Sequence, residues 1–99
     1  MIIRWVKLRF RESEVPSFLE NFERIKEQIR NFEGCQFLEL LQDQNDPTIL
    51  FTHSHWRSSQ DLENYRNSDF FKEVWKETKQ KFSHKPEAWS TTSLEKLDT

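Results

Sequence analysis

Glycine is nearly missing from this 99-residue chain: Gly34 stands alone. A phosphate-cradling loop or a dinucleotide-binding turn needs several closely spaced glycines, and a strained nucleophile elbow needs two. Nucleotide-dependent and hydrolase readings therefore have nothing to rest on. Cysteine is equally scarce. Cys35 is the single thiol, so neither an internal disulfide nor a C-x-x-C pair can form, which suits a reducing cytoplasm. There is no basic excess: 15 Lys and Arg against 17 Asp and Glu leave a formal net charge of −2, unlike a general nucleic-acid binder. No apolar run approaches bilayer-spanning length, and the opening MIIRWVKLRF alternates charge with hydrophobe where a signal peptide would be apolar. These absences lead us to expect a cytoplasmic protein of one domain, residues 1–99, that binds neither nucleic acid nor membrane.

What the chain has in plenty is aromatic side chains, nine Phe, four Trp and one Tyr, beside a charged fraction of 32%. They fall on regular spacings. Ile2 to Phe10 reads as a strand, with Ile2, Val6, Leu8 and Phe10 on one face, interrupted by Arg4, and Ile3, Trp5, Lys7 and Arg9 on the other. Ser13 to Phe32 reads as a helix whose stripe is Val15, Phe18, Leu19, Phe22, Ile25, Ile29 and Phe32. Its start is ambiguous, because Ser13 is a candidate cap while Pro16 disfavours a helical Val15. Gly34 lies just past its last apolar position, where a left-handed residue is wanted. Cys35 to Asp43 and Thr48 to Arg57 form an antiparallel pair around the turn-rich Gln44-Asn45-Asp46-Pro47. Both strands are apolar on both faces, as expected of a sheet covered by helices on one side and a second subunit on the other.

A helix in two pieces follows. Ser58, with Asp61 three positions on, is a candidate N-cap. Ser68-Asp69 offers another, so a break is expected near Asn67. Beyond it Phe70, Phe71, Val74, Trp75, Thr78 and Phe82 make one broad apolar stripe. His84-Lys85-Pro86 stops the helix, and Glu87 to Leu97 reads as the last strand. The order βαββαβ specifies an α+β, ferredoxin-like sandwich with an antiparallel sheet.

Few residues carry obvious chemistry. His53 and His55, two apart on a strand, leave the same face; without a third ligand they read as side chains of a dimer face or pocket wall, and no metal site is expected. Cys35, following Gly34 and with Phe32, Glu33 and Phe37 as neighbours, reads as a small packing residue and not a nucleophile. Tyr65, Phe71 and Trp75 on the second helix, with Arg4 and Val6 on the first strand, are candidates for walling a pocket between sheet and helices. Arg4 on an apolar face needs a partner: an acid, a dimer mate or a substrate oxyanion.

The Trp56-Arg57-Ser58-Ser59 corner, the amphipathic helix after it, the Asn67-Ser68-Asp69-Phe70-Phe71 run and the Phe32-Glu33-Gly34-Cys35 corner resemble the antibiotic biosynthesis monooxygenase family. The resemblance spans roughly residues 2–97 and implies a ferredoxin-like subunit that pairs into a dimeric α+β barrel. It also implies a monooxygenase that oxidises a small aromatic, quinol or polyketide-like substrate with dioxygen and no cofactor. The residues it points to are Arg4, Tyr65 and Trp75 as catalytic groups and Val6, His53, His55 and Phe71 as substrate contacts. The alternative is a non-catalytic dimeric domain that binds a small apolar or aromatic molecule. Haem-degrading relatives ligate iron through a histidine on the second helix. Trp75 stands at that place here, and no histidine lies between Ser58 and Phe82, so haem binding of that type is not expected.

Overall fold

Apolar spacing and turn chemistry together set the element order in the computed structural model, which describes residues 1–98. Strand β1 (Ile2–Arg9) leads through a 3-10 turn (Glu12–Glu14) into α1 (Val15–Arg30). The hairpin β2 (Cys35–Gln42) and β3 (Ile49–Trp56) follows, then α2 (Ser59–Arg66), α3 (Asp69–Lys79) and β4 (Glu87–Thr91). The four strands form one antiparallel sheet in the order β2-β3-β1-β4. This is the ferredoxin-like α+β arrangement, with the helices on one face of the sheet.

The ambiguity at the start of α1 resolves against a Ser13 cap. Val15 is helical (φ −60°, ψ −48°) despite the following proline, and Glu14 takes the cap position without a side-chain bond. A proline in the first turn forfeits no hydrogen bond, since those N–H groups have no intrahelical acceptor. Burial of Val15 and Phe18 offsets the local disfavour. Leu19, expected in the stripe, is instead 39% exposed. The inward face continues through Asn21, whose Oδ1 accepts from Arg24 at 2.9 Å, and on through Phe22 and Ile25.

The second helix breaks where its serines dictate. Ser58 Oγ accepts from the Asp61 backbone at 3.1 Å and caps α2; Ser68 Oγ accepts from the Phe71 backbone at 3.1 Å and caps α3. Ser68 also donates to the Tyr65 carbonyl at 2.6 Å, so one hydroxyl ends α2 and begins α3.

β4 is shorter than the sequence suggests. It stops at Thr91, and Ser93, Leu94 and Leu97 lie outside it, with Leu94 97% exposed. The reason is its partner. β4 is an edge strand bonded only to β1, its last pair is Ile3↔Thr91, and β1 begins at Ile2. With only Ile2 and Met1 left opposite it, the chain beyond Thr91 has almost no ladder to join.

Behind the sheet the core is in two parts. Leu8, Phe10, Val15, Phe18 and Leu50 pack together at one end. Ile29, Cys35, Trp56, Leu62 and Tyr65 pack together at the other. Cys35 is buried, with its Sγ 3.7 Å from the Phe37 carbonyl, and burial pushes its thiol pKa up, as suits a packing residue.

The turn from α1 to β2 depends on its glycine. Gly34 has φ +89°, and a Cβ there would sit 2.4 Å from Asp61 Cβ. Asp61 is held in place by Arg57, whose Nε and Nη2 donate to its two carboxylate oxygens at 2.8 and 3.1 Å. The Gly34 carbonyl accepts from the Arg57 backbone at 2.8 Å. Gly34→Ala therefore combines backbone strain with a steric clash. We expect it to cost about 2 kcal/mol, lowering Tm by roughly 10 °C in a thermal melt.

Hydrogen bonds from Arg57, and to a lesser extent Ser58, hold the Asp61 carboxyl below its usual range. A depressed folded-state pKa contributes stability above the unfolded value and loses it as pH falls through the folded one. Wild type should therefore exceed Asp61→Asn in stability at neutral pH, and urea melts should show the difference closing below about pH 4.

Candidate functional site

The two parts of the core are bridged by Phe22, which packs against both, and by the Phe71–Trp75 stack, but they do not fill all the space behind the sheet. Between them lies a cavity of about 250 Å³, floored by the sheet and roofed by α1, α2 and α3. β1 supplies Arg4, Val6 and Leu8 to its floor, because alternate residues of a strand share a face. β3 supplies Thr52, Ser54 and Trp56 by the same alternation. From the roof come Tyr65 and Arg66 of α2 with Phe71, Val74 and Trp75 of α3, while Ala88 of β4 stands at one side. Most of this lining is apolar, with a few hydroxyls and two guanidinium groups.

Tyr65 is the most constrained of these residues. Its ring stacks on Trp56 with centroids 4.8 Å apart and meets Phe32 and Phe71 edge-on at 5.1 Å each. Burial, with a smaller contribution from Cys35, drives its phenol pKa well above the usual value, so it stays protonated at physiological pH and keeps an O–H to donate. Trp56 Nε1 donates to Ser54 Oγ at 3.0 Å, which fixes the indole beneath Tyr65. Trp75 stacks on Phe71 at 5.9 Å and 10° and closes the end nearer Phe82.

Arg4 reaches the same cavity from the open side, its Nη1 donating to Ser90 Oγ at 2.9 Å. Among the described residues it has no carboxylate within ion-pair distance. Desolvation, followed by the nearby Arg66 charge, lowers its pKa. Arg66 is itself paired with Glu63 across 3.7 Å of solvent-exposed surface.

Five of the seven residues expected at a site are thus brought together: Arg4, Val6, Tyr65, Phe71 and Trp75. His53 and His55 are not among them. The register pairs His53 with Trp5 and His55 with Ile3, which sends both imidazoles to the opposite, helix-free face. There His53 stacks on Trp5 at 4.0 Å and 3°, and Phe37 covers both histidines. The two Nε2 atoms lie 3.1 Å apart, and His53 Nδ1 faces Glu39 Oε1 at 3.3 Å. Burial, then the neighbouring His53, lowers the His55 pKa. Sequence spacing showed that the two share a face but not which one. Among the described residues no group of three or more His, Cys, Asp or Glu is placed to hold a metal.

Sequence reasoning missed Trp56, Ser54, Thr52 and Arg66 as cavity residues. The period-two pattern of β3 could have found the first three once one of them was anchored behind the sheet. Arg66 carried no signal, because its place depends on how far α2 tilts over the strands.

Comparison with known proteins agrees with this architecture. A structure of a conserved protein from Methanosarcina mazei superposes with a TM-score of 0.85 at 24% identity, covering 92% of this chain and 91% of that one. A crystal structure of an antibiotic biosynthesis monooxygenase gives a TM-score of 0.89 at 14% identity, over 96% of this chain and all of the other. A Deinococcus radiodurans protein bearing the same family name gives 0.89 at 13% identity, over 100% and 98%. No curated protein matches the sequence. The family model for antibiotic biosynthesis monooxygenase matches residues 1–77, a stretch that contains every cavity residue of β1, β3 and α2. The chain belongs to the antibiotic biosynthesis monooxygenase family.

Proposed function

We propose that residues 1–99 act as one domain that oxidises a small electron-rich aromatic, such as a quinol or a phenol-activated methylene, with dioxygen in the cavity behind the sheet. The observation that carries this reading is the convergence of Arg4, Tyr65 and Trp75 on one largely apolar space of about 250 Å³. That volume is below the usual range for drug-sized pockets, about 300–1,000 Å³, and suits one or two fused rings.

The chemistry needs no metal or flavin to balance. A phenolic ring ionises and pushes electron density to its activated carbon, which adds dioxygen. The hydroperoxide so formed loses water, leaving one oxygen atom as a carbonyl. The substrate supplies all four electrons. What the protein contributes is a dry place for the ring and fixed dipoles where charge collects. Tyr65, held protonated by burial, donates to the oxyanion; Arg4, from the mouth, adds positive potential that favours an anionic ligand; Val6, Phe71 and Trp75 hold the ring.

We further propose that the open sheet face packs on a second copy. It carries Trp5, Phe37, Phe51 and Trp89, the last 46% exposed, together with His53 and His55. Obligate interfaces bury on the order of 2,000 Å² or more. Sedimentation should give a dimer at micromolar concentration, and Trp5→Glu should shift it to monomer.

Oxygen uptake with a panel of hydroquinones and naphthohydroquinones tests the activity. We expect turnover with at least one member, and a fall in kcat of about tenfold to a hundredfold for Tyr65→Phe. Binding without turnover across the panel would favour a non-catalytic binding domain instead.

A further inference from the structure

Two arginines border one apolar cavity, and among the described residues only Arg66 has a carboxylate within ion-pair distance, that of Glu63. The same Glu63 acts on Arg4 from farther off, as the smallest of the influences on it. Arg66 faces Glu63 at 3.7 Å, a pair exposed on both sides and correspondingly weak. Among the described residues Arg4 bonds to the Ser90 hydroxyl alone. Glu87 also touches the cavity rim. However, the register pairs it with Lys7, and alternation with Ala88 turns its side chain to the other face. Among the described residues the space is therefore lined by positive charge with no carboxylate aimed into it. Partly desolvated guanidinium groups of like charge are costly to hold together unless an anion joins them.

The placement of the two groups narrows the kind of anion. Arg66 has a side chain 46% exposed, and Arg4 bonds to a residue of the exposed edge strand β4, so both stand at the open end. Buried Tyr65, with the half-buried rings of Phe71 and Trp75, supplies the aromatic wall of the same cavity. An oxyanion generated on the reacting ring would form beside Tyr65. A charge at the mouth has to be carried by a substituent.

We infer that the ligand of this cavity is a one- or two-ring aromatic acid, whose carboxylate lies at the mouth between Arg4 and Arg66 while its ring fills the apolar interior. This rests on the reading of the cavity as the substrate site, and it gives Arg4 a positioning role. A planar guanidinium fork matches a carboxylate bidentately, and a site built that way discriminates strongly against a neutral analogue. Arg66 adds charge and closes the mouth from the helix side.

The test separates charge recognition from catalysis by using unreactive probes. 2-Naphthoate and 2-naphthylmethanol share a ring system and differ in charge. Calorimetric titration at low ionic strength should show the carboxylate binding about tenfold or more tightly than the alcohol. The preference should shrink on raising the salt. Arg4→Met should reduce it to within about threefold, Arg66→Met should reduce it in part, and Arg4→Lys should retain part of it. Circular dichroism melts confirm that each variant is folded, and Arg66→Met on the helix surface serves if Arg4→Met is not. Equal affinities in wild type would overturn the carboxylate assignment and leave the cavity reading standing. So would a preference that survives in the folded variants. Failure of both probes to bind at millimolar concentration would overturn the cavity reading and this inference together.

Discussion

The Arg57–Asp61 ion pair beneath Gly34 is the constraint on which the rest of the structure depends. It joins the end of β3 to the first turn of α2 through two charge-assisted bonds, and it packs where a glycine alone leaves room. The corner carrying α1 into β2 thus bonds to the corner carrying β3 into α2. With both corners tied, α2 has one way to lie over the sheet. Tyr65 comes down on Trp56, and Ser68 can turn the chain into α3. Any slack here would move the phenol that lines the cavity.

The cavity exists because the core is built from large rings on a short frame. Phe10, Phe18 and Leu8 pack well at one end, as do Trp56, Tyr65 and Leu62 at the other. Ring stacking is directional, so small adjustments do not close the space left between them, even where Phe22 bridges the two. Arg4 faces that space from an otherwise apolar strand face. A smaller apolar residue would pack there at less cost, and the anion proposed above would offset the difference.

The sheet separates two kinds of work. Even-numbered residues of β1 and β3 face the cavity, while odd-numbered ones build an aromatic and histidine surface on the other side. Strand alternation makes this division strict, since a one-residue slip would exchange the two surfaces entirely. It also explains why the histidines, though they share a face with each other, share no space with Tyr65.

Sequence by itself determined the elements and their corners. Period-two and three-to-four spacings, the serine caps and the lone glycine are local signals, and each depends on neighbours within a few residues. Val6, Phe71 and Trp75 were legible as pocket candidates for that reason, as was the break between α2 and α3. Tertiary structure decided what locality cannot reach. The face that His53 and His55 occupy follows from pairing with β1, roughly fifty positions away. The end of β4 follows from where β1 begins, and the helical Val15 from burial that outweighs its proline neighbour. The approach of Arg66 to Arg4 follows from the tilt of α2 over the sheet. Each of these is a relation between segments distant in sequence, and only the folded chain brings them together.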